Sequence, residues 1–589
     1  MKDFVKTMLA VICGYIVLQI IGFLFFMVML GSALVSGSGS KPLPREGVLD
    51  LDLSTFALTE QTTDGGMPSF SASSFQKPLP TVGIWDAVRA IDAAAADPGV
   101  KYILLRPEGA VAGMAGAEEL RRALTDFRKS GKAVVAWLEA PSNGSYYLAT
   151  SADKIYLSSL HGFSYQLIGL SSQMLFVKDI LDRLGVHVQL IRHGKYKSAG
   201  EMFIRSSASP ENREQNTVLV QTAWHNMSSA VAESRGISEA RFNAIVDNLE
   251  LVLPEDFLRT GLVDELMNRA QLISKLCDLA GVSDEKDLHL IPFADYAAAK
   301  TVSKGHGNVA VIYADGEIVD GDDLQNVAGD RFVKEIDKVM KDKAIKAVVL
   351  RVNSPGGSVA ASCKIRQALD SLQAKKPLVA SFGNYAASGG YWISNGCEKI
   401  YADANTVTGS IGVFSMIPEF SKVTGKVGVN VEYVRSNAHS DMFSLVRPFD
   451  ERELQYMQAS VEDIYEMFVN LVAEGRDLDP ARVDEIAQGR VWIGSNALEI
   501  GLVDEIGTLE DAVAYAGSLA GLSPEECVTV PYPKPLTMFE QLMEEFSTTQ
   551  EPSILSGTPF EGLDGAVKLL KDQRGGTMMA RMPYAFDIR

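Results

Sequence analysis

The sequence predicts an α/β protein made of one domain written twice in tandem and preceded by a single transmembrane helix. Three observations carry that expectation: an uncharged apolar N-terminal stretch, a set of matching motifs that share nearly one spacing, and apolar runs in which strand patterns alternate with helical ones.

No charged residue occurs from Thr7 to Ser40, and Met8 to Val35 is almost wholly apolar. That exceeds the roughly 20 residues needed to span a bilayer and the short apolar core of a cleaved signal peptide. Lys2 and Lys6 precede the stretch, whereas Lys41 and Arg45 follow at a distance. The positive-inside rule therefore favours a cytoplasmic N-terminus with the bulk of the chain outside. The expectation is a single-pass protein of the cytoplasmic (inner) membrane, with residues 1–45 as anchor and linker; a cleaved signal peptide ending in SGSGS is the alternative.

The duplication is legible as a nearly constant offset. RAIDAAAADPGVKYILLR from Arg89 answers KEIDKVMKDKAIKAVVLR from Lys334, and Arg106 and Arg351 sit at the same spacing of 245 residues. Lys154-Ile155-Tyr156 matches Lys399-Ile400-Tyr401, and GLVDEL from Gly261 matches GLVDEI from Gly501. LGVHVQLIR (Leu184 to Arg192) likewise answers VGVNVEYVR (Val427 to Arg435). The copies are placed at 46–300 and 301–535, leaving 536–589 as a tail without repeat. Within each copy, β-rich runs such as IKAVVLRV, PLVASF and EKIYAD alternate with helical patterns such as FVKEIDKVMK, which argues for a mainly parallel sheet. A long helix is expected at Pro210 to Gly236 and again at Glu451 to Gly475.

Composition narrows the function. The 589 residues carry a formal charge of −19, which argues against a nucleic-acid partner. Five scattered cysteines without C-x-x-C spacing give neither a disulfide framework nor a zinc site. No metal or other cofactor is implied.

Chemistry is suggested where the copies differ. The second has NSPGGSV (Asn353 to Val359), whose Gly-Gly turn lets backbone N–H groups approach a ligand; the first has PEGAVAG (Pro107 to Gly113). Ser388, near the strand-to-helix turn of GNYAASGGYWIS, corresponds to Asn143, and Lys197 of GKYKSA corresponds to Ser440. One copy kept a serine and a glycine turn, the other a lysine. A serine hydroxyl needs a neighbour to remove its proton. The seven histidines do not fall at equivalent positions in the copies, whereas a lysine buried against apolar surface loses its charge and serves as a base. The plain structural alternatives are a solvated lysine in KYK and close helix packing in AASGG.

NSPGGSV, AASGGYWIS, TGSIG (Thr408 to Gly412) and KYKSA together resemble the signal peptide peptidase A (protease IV) family in its long, duplicated form. The resemblance implies a crotonase/ClpP-like fold and a Ser-Lys dyad that degrades cleaved signal peptides after secretion. It makes Ser388 the nucleophile and Lys197 the base, gives Gly357 and Gly389 the oxyanion N–H groups, and assigns Ser410 to orient the lysine; a turn cap is the alternative for Ser410. It further implies a membrane-anchored homotetramer acting on apolar, extended peptides. Two other classes stand beside this one: a crotonase-type acyl-CoA enzyme, and a catalytically silent membrane scaffold.

Overall fold

Runs rich in valine, isoleucine and leucine pair in parallel, because each is buried on both faces and only helical crossovers cover both. The computed structural model describes residues 14, 43–62, 79–109, 113–301, 307–324, 326–535 and 578–582. In the first copy the strands lie in the order Glu265–Met267, Lys154–Ser158, Val134–Leu138, Val100–Arg106, Gly47–Asp52, Leu290–Pro292, all parallel.

The second copy repeats that order with Glu505–Ile506, Ile400–Ala402, Leu378–Ala387, Ala347–Ser354, Val309–Asp315 and Thr529–Tyr532. Register is repeated too: Ile103 pairs with Val134 as Val348 pairs with Leu378. The buried phenols Tyr146 and Tyr391 donate to the Leu262 and Leu502 carbonyls, at 2.6 and 2.8 Å. Two extra strands, Val407–Gly409 and Val491–Ile493, widen the second sheet and pair antiparallel with each other.

The expected long helices span Pro210–Arg235 and Glu451–Arg476. Ser209 and Asp450 cap their N-termini by accepting from the N–H groups of Asn212 and Glu453. Gly236, at φ +66°, closes the first of them in the left-handed conformation that a side chain disfavours.

The copies meet over a buried ionic group. Arg351, 1% exposed, donates from Nε to Glu60 at 2.9 Å and pairs through Nη2 with Glu119 at 2.7 Å. Both carboxylates belong to the first copy. The equivalent Arg106 stays within its own copy, paired with Asp50 and Asp52 near the surface.

A third sheet is assembled from distant parts of the chain, in the order Val327–Ala328, Ile318–Val319, Gly356–Ser358, Met579–Arg581, Phe414–Glu419, His187–Arg192. Its edge strand His187–Arg192 crosses from the first copy to run antiparallel to Phe414–Glu419 of the second.

Three expectations are corrected. The fold is α/β, but among the described residues no helix is long and apolar enough to cross a membrane. Met8 to Val35, which carried the membrane helix, lies outside the described residues, so the anchor, the single-pass topology and the inner-membrane location are not carried further. VGVNVEYVR was expected to mirror LGVHVQLIR; His187–Arg192 is a strand, whereas residues 427–435 form none and Val434 is 98% exposed. The difference is one of partners, since only the first of the two segments lies against Phe414–Glu419. Finally, the strand read from PLVASF does not end at Phe382 but runs through Gly383-Asn384 to Ala387. Gly383 fits there because a Cβ would meet the Glu60 carboxylate at 2.7 Å.

Candidate active site

Ser388 joins the strand Leu378–Ala387 to the helix Gly389–Ser394 with φ +55° and ψ −111°. This conformation is strained for a residue with a Cβ, at a cost of about 1–3 kcal/mol, and such strain is maintained at sites where a side chain must be aimed. The Ser388 N–H donates to the Gly409 carbonyl at 2.8 Å, and its carbonyl accepts from Trp392 N–H at 2.8 Å. The turn is thereby held from both sides.

Lys197 arrives from the first copy. After the strand His187–Arg192, the chain turns at Gly194 and inserts Lys197 into the second copy, where it is completely buried. Its Nζ lies 2.9 Å from Ser388 Oγ, 2.9 Å from the Ser410 carbonyl oxygen and 3.0 Å from Ser410 Oγ. Burial pushes the Lys197 pKa well below its ordinary value, since the charged form has lost its water. A neutral amine has two N–H donors and one lone pair. With the Ser410 carbonyl and hydroxyl oxygens accepting both donors, the lone pair faces the Ser388 hydroxyl, which donates to it. That arrangement can remove a proton from Ser388.

Ser410 is itself fixed in a left-handed turn, with φ +51° and its N–H donating to the Arg490 carbonyl at 2.7 Å. Gly357 and Gly389 converge on one side of the turn: a Cβ on the intervening Gly356 would sit 2.6 Å from the Gly389 nitrogen. Gly389 opens the helix, so its N–H has no partner within it. Gly356, at φ +95°, and Gly357, at φ +158°, take backbone conformations that disfavour a side chain.

The five residues singled out from sequence thus lie in one buried cluster, and the counterparts of Ser388 and Lys197 lie apart from it. The Asn143 amide bonds its own loop at Ile168 and Gly169, and the exposed Ser440 hydroxyl donates to the Asn437 carbonyl. Several supports carried no sequence signal. Gly489, at φ +77°, presses on Lys197, where a Cβ would meet the Lys197 Cβ at 2.5 Å. Arg192 donates to the Lys197 carbonyl at 2.5 Å and contacts buried Glu201 at 3.3 Å. Gln215 donates to Ser198 Oγ and accepts from Val491 N–H, tying the lysine loop to the second copy.

Comparison with known proteins decides the family. The sequence pattern of Peptidase family S49 matches twice, at residues 126–283 and 370–523, once in each repeat. The chain is 36% identical to Protease 4 of Haemophilus influenzae over 531 residues, covering 86% of this chain and 85% of that one. This chain belongs to peptidase family S49. As an S49 peptidase it is also similar to Protease 4 of Salmonella typhi, with 37% identity over 85% of this chain and 83% of the other. The chloroplastic serine protease SPPA of Arabidopsis thaliana is 29% identical over 82% of this chain and 71% of its own length. Family membership supports serine-protease activity. The membrane anchoring and the membrane partner joined to that activity in the sequence reading are corrected, because no membrane-crossing helix occurs among the described residues.

Proposed function

We propose that this S49 peptidase is a serine endopeptidase with a Ser-Lys dyad divided between its two repeats. The observation that carries the reading is the 2.9 Å contact between Lys197 Nζ and Ser388 Oγ, both wholly buried. Neutral Lys197 takes the Ser388 proton as Oγ attacks a peptide carbonyl. The N–H groups of Gly357 and Gly389 stabilise the oxyanion, a contribution of about 10²–10³ in rate for one such donor. Ser410 holds the amine in line. The ammonium then protonates the leaving amine, and Lys197 activates the water that hydrolyses the acyl-enzyme. Substrates of the signal-peptide type, apolar and extended, suit a site bordered by strand edges, because an added strand gains main-chain hydrogen bonds without needing a particular sequence.

The test is labelling and turnover. A fluorophosphonate should modify the purified protein at Ser388, and a leucine- and alanine-rich peptide should be hydrolysed. Ser388→Ala should lose both. Undiminished hydrolysis by that variant would overturn the reading.

A further inference from the structure

The chain lays its own peptide along the glycine turn. Met579–Arg581, far beyond the second repeat in sequence, runs antiparallel to Gly356–Ser358, with Gly356 opposite Arg581, Gly357 opposite Ala580 and Ser358 opposite Met579. On its other side Met579 pairs with Phe414. The segment fills the slot between the glycine turn and the strand Phe414–Glu419.

The ladder identifies the carbonyl that meets the Gly357 N–H. Val359 N–H donates to the Met578 carbonyl at 3.3 Å and Met582 N–H to the Pro355 carbonyl at 2.7 Å. Hydrogen-bonded pairs alternate along an antiparallel ladder, so the pair midway between these two, Gly357 and Ala580, is also hydrogen-bonded. The Ala580 carbonyl therefore accepts from Gly357 N–H. The same oxygen lies 3.0 Å from where a Cβ on Gly389 would sit and 2.1 Å from that of Gly356. Both N–H groups assigned to the oxyanion thus border one carbonyl.

The flanking side chains are seated as well. Ala580 is wholly buried in a site with room for a methyl group. Met579 packs among Val188, Phe203, Phe414 and Met416, and Met582 among Leu219, Val491 and Ile493. Arg581 forms an ion pair with Glu317 at 3.0 Å. An extended peptide with its carbonyl on the oxyanion donors and its side chains in apolar recesses has the geometry of a bound substrate.

We infer that Met578–Met582 is an internal substrate of the peptidase and that the enzyme cuts itself between Ala580 and Arg581. This rests on the dyad reading above. Ser388 Oγ adds to the Ala580 carbonyl carbon as its proton passes to Lys197 Nζ. Collapse of the tetrahedral intermediate breaks the C–N bond, and the Lys197 proton goes to the Arg581 nitrogen. A water molecule, deprotonated by Lys197, then hydrolyses the Ser388 ester to leave Ala580 with a free carboxylate. The inference implies that enzyme preparations end at Ala580 and that the residues from Arg581 onward are released.

Intact-mass measurement of the full chain tests this, alongside hydrolysis of an added leucine- and alanine-rich peptide. The unaltered chain should lose everything from Arg581 onward, while Ser388→Ala keeps it. Ala580→Phe, which overfills the buried site, should abolish release at that bond. An unaltered chain that hydrolyses the added peptide but retains its C-terminal residues overturns the inference. So does a Ser388→Ala chain, folded by circular dichroism, that is trimmed at the same bond, and so does unchanged release from Ala580→Phe. A chain that neither trims itself nor hydrolyses the added peptide overturns the dyad reading together with this one, so the added peptide tells the two failures apart.

Discussion

Burial of Lys197 sets the pH at which the proposed dyad works. The ammonium form has no lone pair for the Ser388 proton, and burial places its pKa well below 10.5. The active, neutral fraction therefore grows as pH rises through that lowered pKa, and activity should climb with it and then level off. A pH profile of kcat/KM checks this; a flat profile would remove Lys197 from the role of base. Lys197→Arg should lower kcat/KM by about 10²–10⁴-fold, because guanidinium stays charged. Ser410→Ala should cost only about 5–10-fold, the worth of one hydrogen bond of about 1 kcal/mol, since the Ser410 carbonyl still holds the amine. Ser388 and Lys197 were legible because subtracting one repeat from the other isolates what each has lost. Gly357, Gly389 and Ser410 needed the family resemblance. Gly489 and Glu201 were not legible at all, because their contacts with the lysine loop leave no local pattern.

At the scale of elements, the glycine turn and the inter-repeat ion group are the parts whose failure should look different. A Cβ on Gly357 would lie 1.9 Å from the Ile318 carbonyl oxygen. Gly357→Ala must therefore push the strand Gly356–Ser358 away from its neighbour and misdirect the N–H proposed as an oxyanion donor. We expect kcat to fall by about 10²–10³-fold, with a stability loss of about 1–3 kcal/mol from the overpacked strand. Arg351→Met should act mainly on stability. It leaves Glu60 and Glu119 buried without their cation, at a cost of about 3–5 kcal/mol, and urea unfolding followed by circular dichroism measures it. Secondary structure was readable where period and caps agree, as in the two long helices. It misled where pairing decides: the similar sequences LGVHVQLIR and VGVNVEYVR differ in structure because only one of them has Phe414–Glu419 beside it.

At the scale of the whole molecule, the duplication was legible from a nearly constant offset, but the sheet that borders the site was not. Its strands come from both repeats and from residues 579–581, so no single stretch of sequence announces it. The same assembly bears on whether the repeats can act apart. A fragment beginning near Gly307 lacks Lys197, the strand His187–Arg192 and both carboxylates that neutralise Arg351. It should therefore lose stability as well as hydrolysis, so its inactivity alone says little about the base. Mixing two full-length variants gives a cleaner test. Lys197 and Ser388 of one chain are already 2.9 Å apart, with Lys197 held by Arg192, Gly489 and Ser410 of that same chain. Chains carrying Lys197→Ala, mixed with chains carrying Ser388→Ala, each supply half a dyad to a site that has no access to the other half. Peptide hydrolysis by the mixture should stay at the level of either variant alone, whatever the protein concentration. Activity that appears on mixing and grows with concentration would mean that the lysine is supplied by a neighbouring chain, and the single-chain dyad would be wrong.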